Sequence, residues 1–211
     1  MPDFSLEDGL TGPVAGIDEA GRGPWAGPVV AAAAILDPTR LDKNLLDGLD
    51  DSKALSRQKR ESLYSALFDL RGKGVDIGIG AASVVEIDRI NILQATMIAM
   101  ARAVGSLSRP PACALIDGNK APQLPCPAHT VIKGDAKSLS IAAASIIAKV
   151  TRDRIMTALA RRYPAFGWET NAGYGTKAHQ TGLKNVGITA HHRRSFKPIR
   201  MLIVSVPGHD T

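Results

Sequence analysis

Two adjacent carboxylates at the end of an apolar run constrain this sequence more than any other feature. Asp18 and Glu19 follow Val14 to Ile17, which is typical of a buried strand, and precede the turn Gly21-Arg22-Gly23. A buried strand excludes charge unless the charge is paired or bound to a metal, so the two acids require a cation. Because neighbouring strand residues point to opposite faces, both acids join one metal site only if the alternation fails at Glu19. The stretch predicts a reactive site, with a solvated turn carrying two surface acids as the alternative.

The turn after the acids combines backbone freedom with a charged side chain. Gly21 and Gly23 permit backbone angles that other residues avoid, and they allow a ligand to approach the main chain closely. Arg22 between them is suited to contact a phosphate or a sugar. The turn is therefore a candidate for substrate binding beside the acids.

Two further acids come directly after predicted strands. Asp117 follows an apolar strand predicted over residues 112–116, and Asp135 follows a short strand predicted over residues 129–132. Ligands of open α/β sheets collect at strand ends, so we expect these acids to converge with Asp18 and Glu19. Carboxylates repel each other unless a cation is present, and oxygen ligands suit Mg²⁺ or Mn²⁺. Paired ions about 4 Å apart serve in-line displacement at phosphodiesters, so the acids predict metal-dependent hydrolysis.

The strand and helix patterns predict one α/β domain, and 211 residues with 45% hydrophobic content suffice for one large core. Further strands are predicted over 28–36 and 75–81, and the first two strands should form a hairpin. Helices are predicted from Ser56 to Leu70, from Ile92 to Val104 with Asn91 as N-cap, and from Ser140 to Tyr163. Residues 166–175 are expected to be a loop, and a further helical piece is expected near Thr189.

The charge balance favours a polyanionic partner such as nucleic acid. Lys and Arg number 26 against 20 Asp and Glu, which gives a net charge of +6. The basic residues of the second half of the longest helix form either a solvated face or a phosphate-binding surface: Lys149, Arg152, Arg154, Arg161 and Arg162. In His191-His192-Arg193-Arg194, adjacent histidines on a helix would diverge and the arginines would repel a metal ion. Phosphate contact is the better interpretation, with Arg193 and Arg194 as candidates.

Other features limit where the protein works. No apolar run approaches the roughly 18 residues of a membrane span, and the first residues lack a secretory pattern. The two cysteines, Cys113 and Cys126, lack zinc-site spacing and suit a reducing compartment. We expect a cytoplasmic protein without a membrane partner.

Six motifs occur in order along about residues 15–198 of the chain. They are Asp18 to Pro24, Asp51-Ser52-Lys53, Ile116 to Asn119, Lys133-Gly134-Asp135, Ala142 to Asp153, and Gly173 to Thr176. This ordered set resembles bacterial ribonuclease HII, and the six motifs together make the resemblance highly specific.

The resemblance implies an α/β ribonuclease H-like fold, in which a central mixed five-stranded sheet is flanked by helices. Three antiparallel strands are continued by parallel ones, and a small helical segment follows at about residues 165–198. The implied domain division is an N-terminal extension over 1–13, a catalytic domain over 14–198 and a tail over 199–211, part of which could pack on the body. We expect a monomer.

The implied activity is cleavage of the RNA strand of RNA/DNA hybrids, and incision 5′ of single ribonucleotides embedded in duplex DNA. The products would carry 3′-hydroxyl and 5′-phosphate ends. By resemblance, the metal-binding and catalytic acids are Asp18, Glu19, Asp117 and Asp135, and they would hold Mg²⁺ or Mn²⁺.

The resemblance also assigns substrate contacts. Gly21, Arg22 and Gly23 resemble the turn that reads the ribose, and Tyr174 resembles the tyrosine that senses the junction with DNA, although a structural aromatic is the alternative. Lys53 in its loop is expected to support the site or the substrate, as is Asp51. Asp153 is left out of the site, because Lys149 at i−4 makes a helix-surface ion pair the simpler role.

Three other interpretations compete with this one. Ribonuclease HIII has similar chemistry with an extra N-terminal domain, for which the 17 residues before Asp18 leave no room. Other two-metal nucleases or transposases would explain the acids but not the glycine turn together with Tyr174. A non-catalytic hybrid-binding protein would explain the charge, but it has no need of four converging acids.

Overall fold

All five predicted strands are present and form one mixed sheet in a computed structural model, which describes residues 1–204. Their order across the sheet is β3-β2-β1-β4-β5. The strands are β1 (Val14–Ala20), β2 (Val29–Leu36), β3 (Val75–Ala82), β4 (Cys113–Asp117) and β5 (Ala128–Val131).

The pairing confirms the predicted hairpin and the predicted mixture of directions. Strand β2 runs antiparallel to both β1 and β3, whereas β4 is parallel to β1 and β5 is parallel to β4. In this register Ile17 lies opposite Ile116, so Asp18 and Asp117 each follow at the same edge of the sheet. The carboxyl ends of the parallel strands therefore bring the predicted acids together.

Helices cover both faces of the sheet, with α3 and α5 on one face and α4 on the other. Asn91 interrupts α4, and its side chain accepts hydrogen bonds from the N–H groups of Leu93 and Gln94, which confirms it as an N-cap. The α-helices are α1 (Ser5–Asp8), α2 (Lys43–Leu46), α3 (Arg57–Asp69), α4 (Val84–Gly105), α5 (Leu139–Arg162), α6 (Trp168–Asn171), α7 (Lys177–Val186) and α8 (Lys197–Val204).

Small residues allow α5 to lie close against the sheet. A Cβ atom on Gly16 would overlap the backbone of Ser140, and the central residues of β2 that face α5 or α4 are alanines. The apolar first half of α5 is buried on all sides, as its sequence predicts. This close packing fixes the start of α5, and with it the turn that carries Asp135, against the strand that carries Asp18.

Two predictions for the C-terminal segment are wrong. Residues 166–175, expected to be a loop, contain α6, and Phe166 and Trp168 are fully buried because they form a small core with Met156 and Ile199. The helical piece expected near Thr189 is absent, since α7 ends at Val186, Gly187 follows with φ 83°, and the chain then pairs with the segment around Ala26.

Residues near both chain ends pack against the catalytic domain. Asp3 forms a bridge with Ser138, and Glu7 on α1 accepts hydrogen bonds at the start of α5. In the predicted tail, Ile199 is buried while Met201 to Val204 are largely exposed, and residues 205–211 lie outside the described part. Within residues 1–204, no helix combines the length and apolar character required to cross a membrane.

Candidate active site

Three of the four predicted acids converge at the carboxyl edge of the sheet. Asp18, Asp117 and Asp135 each offer a carboxylate oxygen, and these oxygens lie within 4.8 Å of one another. Asp18 and Asp135 are buried, and Asp117 is half-buried. The N–H of Gly134 donates to Oδ1 of Asp117 at 2.7 Å, which ties the turn that carries Asp135 to the end of β4.

Burial and mutual repulsion disfavour ionisation of these acids in the protein alone. Burial raises the pKa of Asp18 well above its usual range, and the negative charges of Glu19 and Asp117 raise it further. Burial also raises the pKa of Asp135, and the charges of Asp117 and Asp51 add to this effect. A cation at this position would reverse both effects, because it stabilises the ionised carboxylates.

Glu19 lies beside this cluster but is directed towards the glycine turn. Its Oε1 lies 3.3 Å from Nη1 of Arg22, and its own pKa is raised by burial while the charge of Arg22 partly offsets the rise. The charge of Asp117 also raises the pKa of Glu19. Glu19 is placed at the rim of the cluster, because Asp18, Asp117 and Asp135 form the convergent group and Oε1 of Glu19 contacts Arg22.

Lys53 provides a positive charge at the opening of the site. Its Nζ lies 3.6 Å from Oδ2 of Asp135 and 3.8 Å from Oδ1 of Asp51. Partial burial lowers the pKa of Lys53, but the surrounding carboxylates outweigh it and raise the pKa overall. Its loop is anchored beneath by Ser52, whose hydroxyl accepts a hydrogen bond from Ser145 on α5.

One cleft of about 290 Å³ is lined by Asp18, Glu19, Asp117, the glycine turn, Lys53 and Tyr174. Asp135 lies beside this cleft, next to Lys53. Tyr174 is 51% exposed, and a Cβ atom on Gly23 would lie 3.3 Å from Cε1 of its ring. The ring therefore lies directly against the turn. This agrees with the expectation that Tyr174 is not a core residue.

Two arginines that the sequence suggested for phosphate contact are buried instead. Arg193 has an exposed fraction of 0% and Arg152 of 1%, so neither is available to a phosphate. Both donate to backbone carbonyls of the connection over residues 21–28. The prediction for Arg193 is wrong, and so are both alternatives for Arg152, because the polar main chain of a buried loop needs donors from the core side.

The burial of Arg152 could have been predicted from the sequence. Arg152 lies four residues from both Ala148 and Met156, which are buried, so helical spacing places it on the buried face of α5. Arg194 remains exposed, and its backbone N–H donates to Asp88. The expected ion pair of Lys149 with Asp153 is present at 2.8 Å, which confirms that Asp153 has a partner outside the acid cluster.

The donor set fits a hard divalent cation. Carboxylate oxygens are the ligands that Mg²⁺ and Mn²⁺ prefer, and here they converge in a partly buried cleft where their repulsion is otherwise uncompensated. The acids that would hold such an ion are Asp18, Asp117 and Asp135, with Glu19 at the rim.

Comparisons with known proteins agree with this arrangement. A family model described as ribonuclease HII matches residues 15–199. Ribonuclease HII of Rhodospirillum rubrum is 56% identical over 211 residues, covering 99% of this chain and 96% of the relative. Ribonuclease HII of Paramagnetospirillum magneticum is 60% identical over 199 residues, covering 94% and 97%.

A solved structure supports the same conclusion for the fold. Ribonuclease H2 from Pyrococcus horikoshii is 30% identical and superposes with a TM-score of 0.73, covering 90% of this chain and 96% of that protein. The chain therefore belongs to the ribonuclease HII family and is a ribonuclease H-type endonuclease.

Proposed function

We propose that this protein uses Mg²⁺ or Mn²⁺ to cleave the RNA strand of RNA/DNA hybrids and to incise 5′ of single ribonucleotides in duplex DNA. The products carry 3′-hydroxyl and 5′-phosphate ends. The observation that carries this proposal is the convergence of Asp18, Asp117 and Asp135 within 4.8 Å. Asp18 and Asp117 line the same cleft as the glycine turn and Tyr174. The cleft thus combines groups for phosphodiester chemistry with groups that can read a sugar.

In this proposal, the acids hold the metal and the chain fixes their orientation. When bound, divalent ions supply an activated water and stabilise the charge that develops in an in-line phosphodiester displacement. The Gly134 N–H orients the Asp117 carboxylate, and the Glu19 N–H donates to Oδ1 of Asp18 at 2.7 Å. Lys53, which is largely exposed, is placed to contact a backbone phosphate next to the acids.

Recognition of the ribonucleotide is assigned to the turn and the tyrosine. The main-chain groups of Gly21 to Gly23 can approach the 2′-hydroxyl that distinguishes RNA from DNA, because no side chain at the glycines blocks the approach. The exposed ring of Tyr174 can then stack against the next sugar when that sugar lacks the hydroxyl. Because Arg193 is buried, Arg194 is the candidate for phosphate contact in the segment over residues 191–194.

The proposed function is tested with purified protein on a duplex that contains one ribonucleotide, in Mg²⁺ or in EDTA. We expect incision only with the divalent ion, and we expect Asp18→Asn and Asp117→Asn to lose nearly all turnover while binding of the duplex survives. Full activity in EDTA, or an active Asp117→Asn variant, would contradict the proposal.

The role of Tyr174 is tested on two substrates, the embedded ribonucleotide and an all-RNA hybrid. We expect Tyr174→Ala to lose most cleavage at the embedded ribonucleotide, because the stacking surface is removed. Tyr174→Phe is the matched control, since it keeps the ring and should keep the preference. If Tyr174→Ala cuts the two substrates in the wild-type ratio, this tyrosine is not the sensor.

We further propose that the protein acts as a monomer in the cytoplasm. Light scattering coupled to size-exclusion chromatography gives the mass of the particle directly, and a dimer mass would contradict the first part. A fluorescent fusion that follows the bacterial membrane rather than the nucleoid would contradict the second.

A further inference from the structure

The segment that contains His192 and Arg193 lies buried beneath both halves of the proposed ribonucleotide-reading site. The N–H of Arg193 donates to the carbonyl of Trp25 at 2.8 Å, and the N–H of Gly27 donates to the carbonyl of His191 at 2.9 Å. This pairing seats residues 191–193 against the connection that carries the glycine turn. From this segment the Arg193 side chain extends to the glycine turn, and the His192 side chain extends to His179.

The Arg193 guanidinium holds the glycine turn from below. Its Nη2 donates to the carbonyl of Gly21 at 2.6 Å, its Nη1 donates to the carbonyl of Arg22 at 2.9 Å, and its Nε donates to the carbonyl of Gly27 at 3.0 Å. A guanidinium is planar and rigid, so these carbonyls are fixed relative to one another. A lysine could not reproduce this geometry, because its ammonium group is a single point of charge.

The His192 imidazole begins a hydrogen-bonded chain that reaches the tyrosine. Its Nδ1 accepts from the N–H of Thr189 at 3.0 Å, so its proton is on Nε2 and is donated to Nε2 of His179 at 3.0 Å. His179 then carries its own proton on Nδ1 and donates it to the carbonyl of Tyr174 at 2.9 Å. The bonding pattern assigns these tautomers.

The chain of imidazoles is both buried and neutral. The exposed fractions of His179 and His192 are 0% and 1%, and the Trp168 indole N–H also donates to Nε2 of His179. Burial lowers the pKa of His192 to about 4, and the neighbouring His179 contributes to the decrease. Both rings are therefore uncharged at neutral pH, as the donor and acceptor assignments require.

We propose that His192 and Arg193 are positioning residues that hold the Gly21-Arg22-Gly23 turn and Tyr174 at a fixed separation, and thereby set the preference for a ribonucleotide followed by DNA. The proposal rests on the proposed function of this turn and this tyrosine. A Cβ atom on Gly23 would lie 3.3 Å from Cε1 of Tyr174, so the two loops lie close together and a small displacement of either changes their separation.

The experiment compares kcat and KM on an embedded single ribonucleotide and on an all-RNA hybrid. His192→Phe keeps a ring among Phe166 and Trp168 but removes the donor to His179. We expect its preference for the embedded ribonucleotide to fall by about tenfold to a hundredfold, as a displacement of about 1 Å would cause. His192→Gln retains an N–H near the position of Nε2 and should recover part of the preference. Arg193→Lys should lower the preference through the turn.

A matched control separates positioning from general loosening of this small core. Phe166→Leu weakens the packing around the same histidines but leaves every side-chain hydrogen bond in place, so both substrates should be affected equally. If His192→Phe and Arg193→Lys both keep the wild-type ratio of the two kcat/KM values, the proposal is overturned. If wild type itself shows no preference, the proposed function fails first, which is a different result.

A second measurement uses the unmodified chain and does not depend on the variants folding. Long-range proton–nitrogen NMR of ¹⁵N-histidine-labelled protein reports which ring nitrogen carries the proton. We expect His192 protonated on Nε2 and His179 protonated on Nδ1. The opposite tautomer at His179 would remove the imidazole donor to the Tyr174 carbonyl, which would keep only the N–H of Thr176, and would overturn the proposed link.

Discussion

At the scale of single residues, Asp18 shows how function and stability oppose each other in this site. Its carboxylate is buried next to Asp117 and Asp135, which forms the proposed metal site but also concentrates negative charge. Because the folded state raises the pKa of Asp18, its ionisation costs stability when the pH rises through the folded pKa. The metal-free protein should therefore be weakened by its own active site.

This trade-off predicts that Asp18→Asn is more stable than wild type in EDTA. The gain should grow as the pH rises from 4 to 8, and each kcal/mol recovered should raise the Tm by about 2–4 °C for a chain of this size. Adding Mg²⁺ should stabilise wild type more than the variant, since the variant lacks a charged ligand. A lower Tm for Asp18→Asn in EDTA at pH 8 would contradict the argument. Thermal unfolding followed by circular dichroism gives the Tm of each protein in each condition.

At the scale of secondary-structure elements, the short N-terminal helix α1 acts on the site through the start of α5. Oε1 of Glu7 accepts from the Ser138 hydroxyl at 2.6 Å, from the Ser140 hydroxyl at 2.6 Å and from the Ser140 N–H at 3.0 Å. A negative charge at a helix N-terminus is stabilising, and this terminus directly follows the turn of Asp135. The N-terminal residues thus support the turn that carries one of the acids.

We expect Glu7→Ala to lower the free energy of unfolding by about 1–2 kcal/mol, as loss of a helix cap does. The freed turn should also raise the Mg²⁺ concentration needed for half-maximal activity, because Asp135 is less firmly held. Asp8→Ala is the matched control, since Asp8 is an exposed acid of the same helix. Equal behaviour of the two variants in denaturant unfolding and in Mg²⁺ titration would show that the Glu7 contacts do not matter.

At the scale of the whole molecule, the net charge of +6 predicts binding to nucleic acid that weakens steeply with salt. The burial of Arg152 and Arg193 reduces the number of basic side chains available to phosphates, so the remaining exposed residues carry this dependence. The backbone N–H of Arg194 donates to Asp88 near the start of α4. Helix α4 follows β3, whose carboxyl end lies at the same end of the sheet as the acids.

Arg194→Ala should reduce the slope of log K against log salt by about 1, the loss of one phosphate contact. Lys73→Ala serves as the control, because Lys73 is exposed just before β3, at the opposite edge of the sheet. Fluorescence anisotropy of a labelled hybrid at several salt concentrations gives both slopes. Affinity that does not change with salt would mean that the basic surface only solvates the protein.

Local sequence patterns were enough to predict the strands, the N-caps and the placement of Asp18, Asp117 and Asp135 at strand ends. These features depend on periodicity and on the chemistry of neighbouring residues, both of which are visible in a short stretch of chain. The ordered motifs added the family and its candidate site residues, including Tyr174 and the glycine turn.

The tertiary packing determines which basic side chains are exposed and which are buried in support of the site. Arg193 donates to Gly21, a residue 172 positions away, and Glu7 bonds to Ser140 across 133 positions. The local sequence around one residue of such a pair does not indicate the other residue. Arg152 and Arg193, which the sequence offered as candidates for phosphate contact, are buried in the structure. The physical reason is that the carbonyls of a buried connection must be satisfied, and packing alone determines which donor lies within reach.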